Sequence, residues 1–120
     1  LAKAPAPSAD ALLWQRYAIA DELDNAGDVL AADPACAALI LHDAVNRIVE
    51  YAFVARGRNL PRQKELLAAL DALDAEAGVR ARAFFAAVDP ADQQRRALAL
   101  ADHVTGATTF FEWDSAPQPV

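Results

Sequence analysis

The sequence is poor in the residues that build metal sites, disulfides and flexible loops. Its 120 residues include one cysteine, two histidines, four glycines and no methionine. Because Cys36 stands alone, no disulfide can form within the chain, which fits a reducing compartment such as the cytoplasm. His42 and His103 belong to no ligand-spaced Cys/His cluster, and no phosphate-binding glycine loop occurs. We therefore predict neither a metal site nor a catalytic residue in this chain.

Long apolar runs and an excess of basic residues are missing as well. No stretch approaches the ~20 apolar residues that cross a bilayer, and no signal peptide is visible, so we predict a cytoplasmic protein without a membrane partner. The formal net charge of −6 argues against general nucleic-acid binding, which depends on phosphate neutralisation. Since the chain starts at Leu1 and contains no methionine, we expect a piece of a longer protein, with a further domain upstream.

Alanine and helical periodicity dominate what is present. Thirty-one residues are alanine, the strongest helix former. Apolar residues recur at helical spacing, and no alternating strand pattern competes with them. Short connections between helices favour antiparallel neighbours, so the predicted fold is all-α, an up-and-down bundle of four to five helices. We predict that its core includes Leu41, Val45, Ile48, Leu70 and Phe84.

Caps, prolines and glycines set the predicted boundaries. Residues 1–7 form a linker, 8–106 the bundle, and 107–120 an aromatic tail that packs back on the bundle or covers a partner. Within the bundle, Gly57 and Gly106 are expected to close helices, and Val88 is expected to be buried. The predicted helices run from Ser8 to about Ala32, from Pro34 to about Arg56, from Pro61 to Gly78, from Val79 to Val88, and from Pro90 to Thr105.

A row of polar residues on the second predicted helix is the first candidate site. His42, Asn46 and Glu50 are spaced at i, i+4 and i+8, which places them along one side of a helix. One interpretation is a solvated polar face, in which Asp43 and Arg47 form a simple i,i+4 ion pair. The other is a ligand-facing stripe, in which the substrate-binding residues are His42, Asn46, Arg47, Glu50 and Tyr51.

The segment RGRNLPRQK, residues 56–64, is the second candidate site. It surrounds a loop and a helix start, where free N–H groups and the helix dipole favour an anion. In the functional interpretation, Arg58, Arg62 and Lys64 bind a phosphate. In the structural one, Arg56 compensates the dipole of the preceding helix and the other bases serve solubility.

Arg96 and His103, on the last predicted helix, are a third possibility. Their spacing resembles the R-x4-6-H motif of HEPN ribonucleases, in which the histidine acts as acid or base. The residue after the arginine is usually polar in that family, and here it is Ala97. The alternative is that His103 simply stabilises the C-terminal end of its helix.

The order of these features is similar to that of a known family. A helix LHDAVNRIVEYAFVARGRNLPRQKELLAAL, a DP-initiated helix ending in ADHV, and an aromatic tail with EWDS follow one another. This arrangement, from about Ala11 to Ser115, resembles the C-terminal helical domain of kanamycin-nucleotidyltransferase-like bacterial nucleotidyltransferases. The strongest part is Tyr51–Arg58, followed by Pro61 and Lys64.

The resemblance implies a substrate-binding domain that lacks the catalytic carboxylates. Those would lie in an N-terminal nucleotidyltransferase domain, the expected partner, together with Mg and a nucleoside triphosphate. This domain would hold no cofactor, would bind a small-molecule substrate, and is a candidate for homodimer formation. HEPN proteins share the same bundle, so a HEPN-type ribonuclease or its inactive partner stays open as an alternative, as does a helical dimerisation module.

Overall fold

The computed structural model describes residues 7–106, which form five α-helices and one short 3-10 turn. No strand occurs within these residues, and the predicted all-α bundle is confirmed. The 3-10 turn Gln63–Glu65 leads directly into the third helix. The helices are α1 Ala9–Val29, α2 Pro34–Val54, α3 Leu66–Leu73, α4 Ala75–Ala86 and α5 Pro90–Thr105.

Side-chain caps explain where the two longest helices and α5 begin. The Ser8 hydroxyl accepts the Ala11 N–H at 3.1 Å, and the Asp33 carboxylate accepts the Cys36 N–H at 3.1 Å. The Asp89 carboxylate caps α5 in the same way, with a proline next in sequence as in α2. Each cap satisfies an N–H that has no partner inside its helix, and proline there loses no hydrogen bond.

Helix α2 is the centre of the bundle, since it packs against each of the other four helices. One side of it, from Leu41 to Phe53, is almost entirely buried. Burial of these apolar side chains is the main favourable contribution to folding. The five residues predicted to be core are all fully buried, which confirms the assignment of the apolar faces: Leu41, Val45, Ile48, Leu70 and Phe84.

The boundary between the third and fourth helices was predicted at the wrong place. Pro61 lies in the loop, and α3 ends at Leu73, five residues before Gly78. Asp74 closes α3 and also begins α4, because its carboxylate accepts the Ala77 N–H at 3.1 Å. Gly78 therefore lies inside α4, in close contact with Asp71 of α3.

The expectation that Val88 is buried was also wrong, because α4 ends at Ala86 and Val88 is 90% exposed. Gly57 and Gly106 do have the positive φ angles, 67° and 78°, that favour glycine over other residues. The predicted linker and aromatic tail lie outside the described residues, apart from Pro7. Within the described helices, none combines the length and the apolar character that a membrane span requires.

Candidate functional site

A groove between α2 and the chain that follows it contains two of the predicted substrate-binding residues. Asn46 and Glu50 of α2 form one side of the groove, and Gln63 lies on the other. The groove has a volume of about 260 Å³ and continues into a second one of about 290 Å³, which ends at Phe85. We call the two together the α2–α3 groove. Its other lining residues are Val49, Leu60, Pro61, Leu66 and Leu67.

The groove follows from the way the chain reverses after α2. Gly57 adopts the left-handed conformation, and the N–H of Arg58 donates to the Phe53 carbonyl at 3.0 Å. The chain then returns alongside α2, where Leu66 and Leu67 pack partly buried against the core. Because the Asn46 and Glu50 side chains point away from that core, they are left along the edge of the returning segment.

Asn46, Glu50 and Gln63 are exposed. Within residues 7–106, none of them takes part in a side-chain hydrogen bond or ion pair. Their amide and carboxylate groups together offer N–H donors and oxygen acceptors to a molecule in the groove. This part of the predicted row therefore has hydrogen-bonding groups available on its surface.

His42 lies beyond the far end of the groove. Its Nδ1 is 2.8 Å from the Ala38 carbonyl oxygen, so Nδ1 carries the hydrogen in this contact. The imidazole packs against Phe84 and Phe85, with ring centroids 5.0 and 5.8 Å away. His42 thus joins α2 to α4, and only the shared neighbour Phe85 connects it with the groove.

Arg47 and Tyr51 lie on the side of α2 that faces α1. Arg47 Nε is 2.7 Å from a Glu22 carboxylate oxygen and 3.3 Å from one of Asp43. Tyr51 is buried, and its hydroxyl accepts a hydrogen bond from Arg16 at 3.0 Å. The structure therefore divides the five predicted substrate-binding residues among three places and leaves two of them in the groove.

The three predicted phosphate-binding residues have different surroundings. Arg58 lines a separate groove of about 630 Å³ along α3, which also contains the Glu65 carboxylate and several small apolar residues. Arg62 Nη2 is 3.5 Å from Glu65 Oε2. Lys64 is exposed, and no hydrogen bond or ion pair engages it within the described part of the chain. Lys64 is therefore the base in this segment that is most accessible to an anion.

A charged cluster that the sequence analysis missed joins the ends of three helices. Asp74 lies at its centre, with His103 Nε2 at 3.0 Å and Arg56 Nη2 at 3.3 Å. The other ring nitrogen of His103 is 3.2 Å from Glu76. Partial burial tends to raise the pKa of Asp74, but the Ala77 N–H, His103 and Arg56 outweigh it and hold that pKa below its usual range.

This Asp74 cluster borders a cavity of about 160 Å³, which is smaller than a typical ligand pocket. Both nitrogens of His103 already face carboxylates, so the ring is held in place on both sides. Arg96 pairs with Asp92 at 3.2 Å. Among the described residues, no group of three or more potential ligands is arranged to hold a metal ion. The contacts of the Asp74 cluster therefore connect the end of α2 with the start of α4 and with α5.

Comparison of the chain with protein-family models, curated proteins and solved structures gives no match in any of the three. The functional assignment therefore depends on the groove itself and on the resemblance of the sequence pattern. Of the regions described above, the α2–α3 groove is the one where exposed polar groups converge without partners among the described residues.

Proposed function

We propose that the chain is the substrate-binding helical domain of a nucleotidyltransferase and that the α2–α3 groove is one wall of its substrate cleft. The observation that carries the proposal is the position of Asn46, Glu50 and Gln63 around one concave surface. These three side chains are exposed and have no partners within the described residues, which is what a site for a polar small molecule needs.

The size of the groove supports the proposal that it forms one wall of a substrate cleft and not a complete pocket. Ligand pockets generally enclose about 300–1,000 Å³ and cover most of the ligand surface. The two parts of the α2–α3 groove, about 260 and 290 Å³, are open and individually smaller. A second surface is needed to enclose a substrate here. An adjacent nucleotidyltransferase domain would supply that surface, together with the catalytic carboxylates, Mg and the nucleoside triphosphate.

The residue types suggest the class of acceptor. Asn46 and Gln63 can each donate and accept hydrogen bonds, and Glu50 accepts only. A molecule with several hydroxyl groups and at least one amino group would satisfy all three. Lys64 follows Gln63 in the 3-10 turn and is exposed, so in this proposal it contacts an anionic group such as a phosphate.

Nuclear magnetic resonance of the ¹⁵N-labelled chain tests this assignment. Kanamycin serves as a probe for an amino-hydroxyl acceptor, and Mg-ATP serves as a probe for the nucleotide. We expect kanamycin to shift the side-chain amide signals of Asn46 and Gln63, whereas Mg-ATP leaves them unchanged. Shifts confined to other surfaces, or no shifts at millimolar kanamycin, would contradict this acceptor class at this groove.

RNA cleavage is the second candidate, and one observation favours it. Arg96 and Glu76 of α4 line one cavity, and His103 Nδ1 is 3.2 Å from Glu76, so the two residues of the HEPN-like spacing lie along one seam between α4 and α5. Against cleavage, each ring nitrogen of His103 faces a carboxylate. We expect the isolated chain neither to cleave RNA nor to transfer nucleotides. RNA cleavage that disappears in His103→Ala would reverse this order of preference.

A further inference from the structure

The most exposed aromatic side chain of the described helices is Trp14, on α1. It is 66% exposed, and its ring meets that of Tyr17 edge to face at a centroid distance of 5.7 Å. Leaving so large an apolar surface in water gives up the free energy of burial and does nothing for the packing of the bundle. Tryptophan and tyrosine are enriched at protein interfaces, where one rigid ring buries a large area. The outer face of α1 is therefore a candidate surface for a partner.

Aspartates follow the same face of α1 at regular intervals. Six residues are separated by alternating steps of four and three, a spacing that keeps their side chains along one side of a helix. They are Asp10, Trp14, Tyr17, Asp21, Asp24 and Asp28. We call them the α1 stripe. At a rise of 1.5 Å per residue, the stripe is about 27 Å long.

The stability of α1 itself does not account for these charges. Asp10 lies in the first turn, where the helix dipole favours an acid, but Asp28 lies in the last turn, where the dipole opposes it and no base is present. Asp10, Asp21 and Asp28 are exposed, and no ion pair joins them to a base within residues 7–106. The only base in the sequence of α1, Arg16, donates to Tyr51 at 3.0 Å.

Elsewhere in the bundle, acids are balanced by arginines one turn away on the same helix. Glu76 and Arg80 of α4 are 2.9 Å apart, and Asp92 and Arg96 of α5 are 3.2 Å apart. In α1, five acids accompany a single base, which leaves a formal charge of −4. An aromatic anchor within an unbalanced negative face is complementary to a positive surface that also offers an apolar contact.

We propose that the α1 stripe binds a basic α-helix of a protein partner, with Trp14 as the anchor and the aspartates opposite lysine or arginine side chains. A straight stripe of this length on one helix matches a second helix that lies alongside it. Lysine and arginine combine an apolar stem with a cation, so they cover the rings of Trp14 and Tyr17 and place charge against them. The same aspartates repel a nucleic acid or an anionic membrane surface.

The α1 stripe is separate from the α2–α3 groove. Trp14 precedes the buried Leu23 by nine residues, or two and a half turns, so the two side chains lie on opposite sides of α1. Among the described helices, α1 contacts α2 and α5 but neither α3 nor α4. A partner on the stripe therefore leaves the groove open, and the proposal does not depend on the function proposed for that groove.

The first experiment titrates the ¹⁵N-labelled chain with a synthetic alanine-based helical peptide that carries lysines at the four-and-three spacing of the stripe. A peptide with glutamates in place of the lysines is the control. We expect the lysine peptide to shift the amide signals of the α1 stripe and the indole N–H signal of Trp14, and the glutamate peptide to shift neither. High salt should weaken binding, because the Debye length falls to about 3 Å at 1 M. No shifts at millimolar lysine peptide, or shifts centred on the α2–α3 groove, would overturn the proposal.

The second experiment measures the affinity of the lysine peptide for variants of the chain. Trp14→Ala should weaken binding by about tenfold because it removes the anchor, and Asp28→Lys should weaken it by reversing a charge of the stripe. Leu39→Ala and Glu65→Lys are the matched controls, an exposed apolar residue and an exposed acid outside α1. Both controls should bind as the wild type does.

Three outcomes of these measurements would contradict a basic helix on the stripe. Wild-type affinity in Trp14→Ala would reduce binding to a diffuse attraction of cations, as would equal shifts with spermine in place of the peptide. A dimer of the chain alone in analytical ultracentrifugation, lost in Trp14→Ala, would show that the occupant is a second copy. If Trp14→Ala does not fold, the comparison of Asp28→Lys with Glu65→Lys decides the question, and equal affinities would overturn the proposal.

Discussion

The α2–α3 groove and the Asp74 cluster use similar residue types in opposite ways. In the cluster, Arg56, Asp74 and His103 contact one another at about 3 Å and join the ends of separate helices. In the groove, Asn46 and Glu50 lie side by side with no partner within the described residues. One region pairs its polar groups within the protein, and the other leaves them exposed.

This difference distinguishes the two regions better than residue type does. His103 is a candidate acid or base in the HEPN-like interpretation of the sequence, yet here two carboxylates fix the orientation of its ring. An asparagine on a helix surface looks ordinary, yet it lies in a concave surface beside a second amide. Substitutions in the cluster should therefore lower the free energy of unfolding. Under the proposed function, substitutions of the exposed polar residues of the groove should change binding alone.

The largest effect is expected in the core between the two regions, at Phe84. This ring is fully buried and contacts both His42 and Phe85. Phe84→Ala should lower the free energy of unfolding by about 3–5 kcal/mol because it leaves a large cavity. Phe85→Ala is the matched control, since Phe85 is 40% exposed. Equal losses for the two variants in urea titrations would show that the face of α4 is wrongly assigned.

The next largest effect on stability is expected at Asp74, where substitutions test the cluster and its pH dependence together. Asp74→Ala removes the cap of α4 and the contacts to His103 and Arg56, so we expect a loss of about 1–3 kcal/mol at pH 7. Asp74→Asn preserves a capping oxygen and should cost less.

Acid titration sharpens that test. Because the pKa of Asp74 is lowered in the folded chain, its charge contributes stability above its ordinary value of 3.8. That contribution is lost as the pH falls below 3.8 through the folded pKa. Asp74→Asn should therefore show a weaker loss of stability than the wild type between pH 4 and 2. Parallel acid profiles would mean that the Asp74 charge adds nothing.

The sequence was sufficient to predict the buried faces but not the Asp74 junction. Leu41, Val45 and Ile48 repeat at helical spacing, and such a pattern can bury only one face of the helix. Asp74 is a single cap in a run of good helix formers, so Pro61 and Gly78 were stronger local signals than the actual start of α4. The contacts with Arg56 and His103 bridge 18 and 29 residues and depend on packing that no local pattern contains.

Helix geometry explains why the row of His42, Asn46 and Glu50 does not lie as a whole in the groove. Each step of four residues turns about 40° beyond a full circle at 3.6 residues per turn. His42 and Glu50, two steps apart, thus differ by about 80°, and one contacts α4 while the other contacts the returning loop. Arg47 and Tyr51 are offset by about 100° from Asn46 and Glu50, which turns both toward α1.

Two glycines provide a smaller and more local comparison. A Cβ at Gly78 would lie 2.0 Å from Asp71 Oδ1 and 3.0 Å from Asp71 Cα, so the backbone itself obstructs it. Gly78→Ala should therefore destabilise the chain by about 1–3 kcal/mol. A Cβ at Gly27 would meet only the end of the Gln94 side chain at 2.9 Å. Gly27→Ala should be neutral or stabilising by up to about 1 kcal/mol, as thermal melting would show.

The smallest effect on stability, and the most informative for function, is expected in the groove. Asn46→Ala and Lys64→Ala remove exposed side chains that have no partners within residues 7–106, so the free energy of unfolding should change by less than about 0.5 kcal/mol. Under the proposed function, both variants should nevertheless weaken ligand binding in the full-length protein. Calorimetric titration measures that loss, and Arg80→Ala, in the seam between α4 and α5, is a control remote from the groove. If Asn46→Ala and Lys64→Ala both bind normally, these positions are ordinary solvated residues. If both unfold the domain, these side chains are structural and the comparison between the two regions fails.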